Sequence, residues 1–119
     1  MSKWIGVDLD GTLAESSGRK GAPIGKPVPA MMQRVRDWVA QDREVRIFTA
    51  RADLPSERYK ITEWLKDQGL PALPITNKKD EDMQELWDDR AIRVLHNKGE
   101  PCPSCGDASK FSSCFLTTF

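Results

Sequence analysis

The stretch Trp4-Ile-Gly-Val-Asp-Leu-Asp-Gly-Thr-Leu-Ala-Glu15 runs a mostly apolar strand into two carboxylates separated by one leucine, then breaks it with Gly11-Thr12. A near-continuous apolar run such as Trp4 to Leu9 belongs to a strand buried on both faces, as in a parallel sheet. Carboxylates packed closely at the end of such a strand repel each other, so the pattern asks for something that holds them there.

Outward from this strand, apolar runs of strand length alternate with segments of helical period, which predicts an α/β fold around a mostly parallel sheet. A loop rich in Gly, Ser and basic residues follows, from Ala14 to Lys26. Val28, Met31, Met32, Val35, Trp38 and Val39 then recur at helical spacing, with Pro29 suited to a first turn. Glu44 to Ala50 reads as a second strand. A second helix is expected from about Leu54 to Gln68, with Asp53 as N-cap and Gly69 as the stop. Leu73 to Thr76 reads as a third strand, Asp80 to Glu85 as a brief helical turn, and Leu86-Trp87 and Ala91 to Leu95 as two more short strands.

A chain of 119 residues, 39% of them hydrophobic, is the size of one compact domain. We place that domain at residues 1–99 and a cysteine-containing tail at 100–119. Eighteen basic against eighteen acidic residues leave no net field to draw in a polyanion or an anionic membrane. Nothing reads as a signal peptide or a membrane span, so a soluble cytoplasmic protein without a membrane partner is expected. Three cysteines, all after residue 101, argue against a disulfide framework.

In an open α/β sheet the ligand crevice lies outside the carboxyl ends of the strands. Those ends carry Asp8 and Asp10, then Thr49, then Lys78 or Lys79, then Asp88 and Asp89. Acids crowded into one crevice are commonly held by a divalent cation, and Mg²⁺ suits a site made of carboxylates, water and a substrate phosphate.

Four elements, in order, resemble the motifs of the haloacid dehalogenase-like (HAD) superfamily: DLDGT at Asp8 to Thr12, IFTAR ending at Arg51, a lysine near position 79, and Asp88-Asp89. The likeness spans about residues 4 to 95. KKDEDMQELWDDRAIRV is similar to small phosphatase-type members without a cap, including those of phages. Asp88-Asp89-Arg90 also resembles the phosphatase domain of bacteriophage polynucleotide kinase. The resemblance implies a HAD-like Rossmannoid three-layer sandwich with no cap domain. Its activity would be Mg²⁺-dependent phosphomonoester hydrolysis through an aspartyl phosphate.

By the same resemblance, Asp8 attacks phosphorus, and Asp10 protonates the leaving oxygen and then activates water. Thr49 and Lys79 bind phosphoryl oxygens, with Lys79 preferred to Lys78. Asp8, Asp88 and the main-chain carbonyl of Asp10 hold Mg²⁺, with Asp89 supporting that set from behind its ligands. Gly11 permits the turn that lets both acids face substrate, and Arg51 either touches the phosphate or braces the loop. Arg90 is read as an ion-pair partner as readily as a functional group. A site without a cap is open, which fits either small phosphomonoesters chosen loosely or a phosphorylated nucleic-acid end, with Arg19, Lys20, Lys26 and Arg51 as a local basic rim. The rival reading is a phosphate-binding scaffold with little turnover in a binding or assembly role. The intact Asp8, Asp10, Thr49, Lys79 and Asp88 argue against it. Oligomeric state is left open.

The likeness stops at about residue 99. Beyond it, Cys102-Pro-Ser-Cys105-Gly has the form of a zinc knuckle, in which two thiolates meet one structural Zn²⁺. Four ligands are needed, and only Cys114 and His96 remain to complete the set. The alternative is a tail with reduced, unliganded cysteines, in which Phe111, Phe115, Leu116 and Phe119 pack on the core or on a second subunit.

Overall fold

The computed structural model describes residues 3–105. Four strands, β1 (Trp4–Val7), β2 (Glu44–Phe48), β3 (Ile75–Thr76) and β4 (Met83–Trp87), form one sheet in the order β3-β2-β1-β4. Every pairing is parallel. Helix α1 (Pro29–Ala40) joins β1 to β2, and a 3-10 turn (Ala50–Asp53) leads into helix α2 (Pro55–Asp67) before β3. The α/β class read from the sequence is the one observed.

The steps β1 to β2 and β2 to β3 move the same way across the sheet, so right-handed crossovers place both helices on one face. The core agrees: Ile5, Val7, Val45 and Ile47 share one buried cluster with Val35 of α1 and Ile61 of α2. On the opposite face the Trp4 and Phe48 rings stack with centroids 6.5 Å apart, and the Arg46 guanidinium lies 4.4 Å from the Trp4 ring centre. The Trp4 indole donates to Asp80 Oδ1 at 2.8 Å, tying the start of β1 to the loop that precedes β4.

The structure corrects several element boundaries. Asp80 to Glu85 is not a helical turn, because Met83 to Glu85 belong to β4. That strand is polar and exposed along its middle, as an edge strand is, and its ladder with β1 outweighs its weak apolar signal. Ala91 to Leu95 forms no strand. Ile92 and Val94 are 56% and 58% exposed, and Val94 makes only an isolated antiparallel bridge to Pro101. The third strand shrinks to two residues behind Pro74, which has no N–H to donate but whose carbonyl accepts from Ile47. Asp53 does not cap α2. Leu54 stands at the N-cap without a side-chain bond, and Pro55 at the first helical position removes a donor that would otherwise need a partner. Gly69 ends α2 as expected, at φ +77°.

Between β1 and α1, and between β3 and β4, the described chain carries loops and isolated bridges and no inserted domain. The chain divides into two compact units, Met1–Asp89 and Arg90–Phe119. In the second, the described part is a small hairpin. The Leu95 N–H donates to the Glu100 carbonyl at 2.8 Å, and Asn97 and Gly99 take positive φ at its turn. Among the described residues no helix is long and apolar enough to cross a membrane.

Candidate functional site

The loop after β1 is set by two fully buried leucines and a tight backbone return. Leu9 and Leu13 are 0% exposed, and the Leu9 carbonyl accepts from Leu13 and Ala14 at 3.0 and 2.9 Å. Anchoring Leu9 in the core leaves its neighbours Asp8 and Asp10 at the C-terminal edge of the sheet. The Asp8 N–H continues the ladder to the Trp87 carbonyl at 2.9 Å, which brings the end of β4 beside it. Gly11 is demanded twice. Its φ is +88°, and a Cβ there would lie 2.6 Å from Asp89 Oδ2.

Asp8, Asp88 and Asp89 form the centre of the site. One carboxylate oxygen from each lies within 4.8 Å of the others. Thr12 Oγ1 sits 3.3 Å from Asp8 Oδ2 and 3.1 Å from Asp89 Oδ1, and it accepts the Asp89 N–H at 3.1 Å. A hydroxyl has one proton, so it serves one carboxylate at a time. Burial pushes the Asp8 carboxyl up from 3.8 to about 7, with the nearby Asp88 and Asp89 carboxylates adding to the effect. An all-oxygen donor set under this electrostatic pressure fits a hard divalent cation such as Mg²⁺. Asp89, read from the sequence as standing behind the ligands, has a carboxylate oxygen within 4.8 Å of those of Asp8 and Asp88.

Asp10 faces a different environment. Arg51 grips it with both arms of the fork, Nε to Oδ2 and Nη2 to Oδ1, each at 2.8 Å. The same guanidinium donates to Glu57 Oε1 at 2.7 Å and to the Ala22 carbonyl at 2.8 Å. Hydrogen bonding to Asp10, the largest cause, holds Arg51 more firmly protonated than usual, and its bond to Glu57 lowers that carboxyl below its ordinary value. These bonds brace the loop, one of the two roles the sequence left open for Arg51.

Thr49 is buried at the end of β2. Its hydroxyl accepts the Arg51 N–H at 3.2 Å, capping the 3-10 turn, while its own N–H reaches the Thr76 carbonyl. Lys78 and Lys79 are exposed in the loop after β3, with β2 standing between that strand and β1. Lys78 is pinned there by its N–H, which donates to Thr76 Oγ1 at 3.0 Å. Arg19, Lys20 and Lys26 are exposed in the loop before α1.

Three further residues belong to the site's surroundings and were not singled out from the sequence as site residues. Thr12 has a legible signal, since it is the residue that follows the Asp-x-Asp-Gly run. Arg34 and Trp87 do not, because each reads as an ordinary helix or strand residue until α1 and β4 meet. Beside the carboxylates, these two line a depression of about 280 Å³ together with Met31 and Val28.

In the second unit, Cys102 is buried and Cys105 partly buried, without a disulfide. The Cys102 N–H donates to the Arg93 carbonyl, and the Cys105 N–H to the Cys102 carbonyl at 2.9 Å, closing the tight turn expected of a knuckle. Among the described residues, the aspartate trio is the one group of three or more His, Cys, Asp or Glu side chains at ligand distance, so His96 does not join the two cysteines there. Cys114, Phe111, Phe115, Leu116 and Phe119 lie outside the described residues.

No family model matches the sequence, and no curated protein does. The chain is similar in structure to a conserved protein of Bacteroides thetaiotaomicron. The TM-score is 0.58 at 20% sequence identity, over 76% of this chain and 78% of that one. At this identity the likeness bears on the fold alone, and it agrees with an α/β domain built on a parallel sheet.

Proposed function

We propose that this chain is a divalent-metal-dependent phosphomonoesterase of the HAD type, with Asp8 as nucleophile. The observation that carries the reading is the convergence of Asp8, Asp88 and Asp89 within 4.8 Å at the C-terminal edge of a parallel sheet. Asp8 sits on the central part of that edge, with Thr49 at the neighbouring strand on one side and Asp88 on the other.

In this reading Asp8 attacks phosphorus, so one difficult displacement becomes two easier ones. Bound Mg²⁺ would offset the repulsion between an ionised Asp8 and the phosphoryl oxygens. Thr12 orients the Asp8 and Asp89 carboxylates through one shared hydroxyl. Arg51 binds both Asp10 oxygens and so positions Asp10. In the proposed sequence a proton carried by Asp10 goes to the leaving oxygen, and the carboxylate left behind takes one from the attacking water. Room for that proton requires one of the two Arg51 bonds to open. Thr49 at the end of β2 and Lys79 in the loop after β3 are assigned to the phosphoryl oxygens in this proposal.

The substrate in this proposal is a phosphorylated small molecule or a phosphorylated nucleic-acid end, since among the described residues no inserted domain encloses the edge of the sheet. The test is turnover of p-nitrophenyl phosphate with added Mg²⁺ and after exhaustive chelation. Turnover that needs the cation is expected. A chain that binds Mg²⁺ at the trio and hydrolyses no phosphomonoester would instead be the binding scaffold of the rival reading.

A further inference from the structure

The depression beside the carboxylates runs from the Gly11-Thr12 turn, along the first turns of α1, to the end of β4. Its inner end is made by Thr12, Asp88 and Asp89, which belong to the site already described. Its outer walls are of another character: Val28, Met31 and the Trp87 ring are apolar, and Arg34 adds a guanidinium. A phosphomonoester whose phosphoryl group reaches Asp8 must place its alcohol portion somewhere, and this hollow opens beside Thr12, Asp88 and Asp89 of that site.

Its walls also define what fits. The Trp87 ring is held by the Trp38 ring, with centroids 5.2 Å apart at 60°, and by the Arg34 guanidinium, 5.2 Å from the Trp87 ring centre. An indole and a guanidinium fixed together offer flat, polarisable surface, and such surface favours a flat partner through stacking and cation–π attraction. The volume of about 280 Å³ is just below the range of pockets for drug-sized ligands, which suits one ring system better than an extended chain.

We propose that this depression is the leaving-group subsite of the phosphatase site and that it selects phosphomonoesters bearing a planar ring, an aryl group or a nucleobase. The inference rests on the phosphatase reading and adds to it the substrate class and the residues that choose it, Trp87, Arg34 and Met31.

The experiment compares a nucleoside 5′-monophosphate with ribose 5-phosphate, which carry the same primary phosphate on the same sugar and differ in the base. With the wild-type chain and Mg²⁺, kcat/KM for the nucleotide is expected to exceed that for the sugar by about tenfold or more, mainly through KM. Ala30 is exposed at the start of α1 and lines the depression, so Ala30→Trp fills it from the rim without entering the core. That variant should bring the ratio to within about twofold of unity, as should Arg34→Met in part. Equal kcat/KM for the two substrates, or a ratio that survives Ala30→Trp, overturns the inference while leaving the phosphatase reading intact. If neither substrate is hydrolysed, p-nitrophenyl phosphate turnover decides the phosphatase reading, and the subsite is judged by the Trp87 indole N–H resonance on titration with the same two ligands: a shift with the nucleotide alone upholds ring binding, and no shift with either overturns it.

Discussion

Asp8 and Asp10 are separated by a single residue and meet opposite electrostatic fates. On the β4 side, Asp8 is crowded by Asp88 and Asp89 and is pushed up to about 7. On the β2 side, Asp10 is bound at both oxygens by an arginine that also serves Glu57. The two halves of the site therefore differ in where their charge balance comes from. Asp10 is balanced from within the fold, by a guanidinium whose geometry matches a carboxylate. Asp8 is under pressure that a cation from solution would relieve, and that is the physical reason the proposed metal is assigned to its side.

The largest effect should come from breaking the Asp8 half. Asp8→Asn keeps the shape and the Thr12 contact while removing the attacking oxygen, so kcat should fall by at least ~10³-fold in a steady-state assay. Retained turnover in that variant would mean that another group attacks phosphorus. Asp10→Asn should cost roughly a hundredfold in kcat, because leaving-group protonation and water activation both suffer. An Asp10→Asn variant as active as wild type would reduce the Arg51–Asp10 pair to a loop brace.

Next in size is the removal of the internal counter-charge. Arg51→Met leaves Asp10 and Glu57 without their shared donor. The Arg51 and Glu57 side chains are each 16% exposed, and Asp10 is 33% exposed. The denaturant midpoint should fall measurably, by less than breaking a fully buried pair would lower it. A midpoint shift too small to measure would show that solvent replaces the guanidinium at no cost.

The smallest effect separates the halves by pH. Without divalent cations, between about 4 and about 7 the folded chain holds a proton on Asp8 that the unfolded chain has released, so this group's contribution to stability falls as pH rises through that window. Glu57 acts in the other sense: its lowered value contributes stability above the ordinary carboxylate range and loses it as pH falls. Thermal melts of metal-free wild type and Asp8→Asn should diverge across that window, with the variant gaining relative to wild type as pH increases. Parallel curves would remove the evidence that the trio strains Asp8.

Much of this arrangement was legible from residues 4 to 12 because an apolar strand ending in acids has few structural explanations. The parallel sheet, both helices and the position of Asp8, Thr49 and Asp88 at strand ends followed from periodicity and from the alternation of strand and helix segments along the chain. What was not legible depends on contacts distant in sequence. Met83 to Glu85 looks polar and local until it pairs with β1. Asp89 became a member of the trio only when Gly11 left it room. Glu57 reads as a solvated helix residue, and nothing in its own neighbourhood announces the salt bridge to Arg51. Ala91 to Leu95 failed as a strand for the opposite reason: it has apolar residues and no sheet partner along its length.

The strand order carries a consequence for how the chain reaches this state. β1, β2 and β3 are assembled by successive crossovers between neighbours, whereas β4 returns past both to lie against β1. That return is a long-range loop closure, the slow kind of step in a folding reaction. It is also the step that carries Asp88 and Asp89 up to Asp8. The step that completes the sheet is therefore the step that assembles the carboxylate trio, so edge strand and site form together.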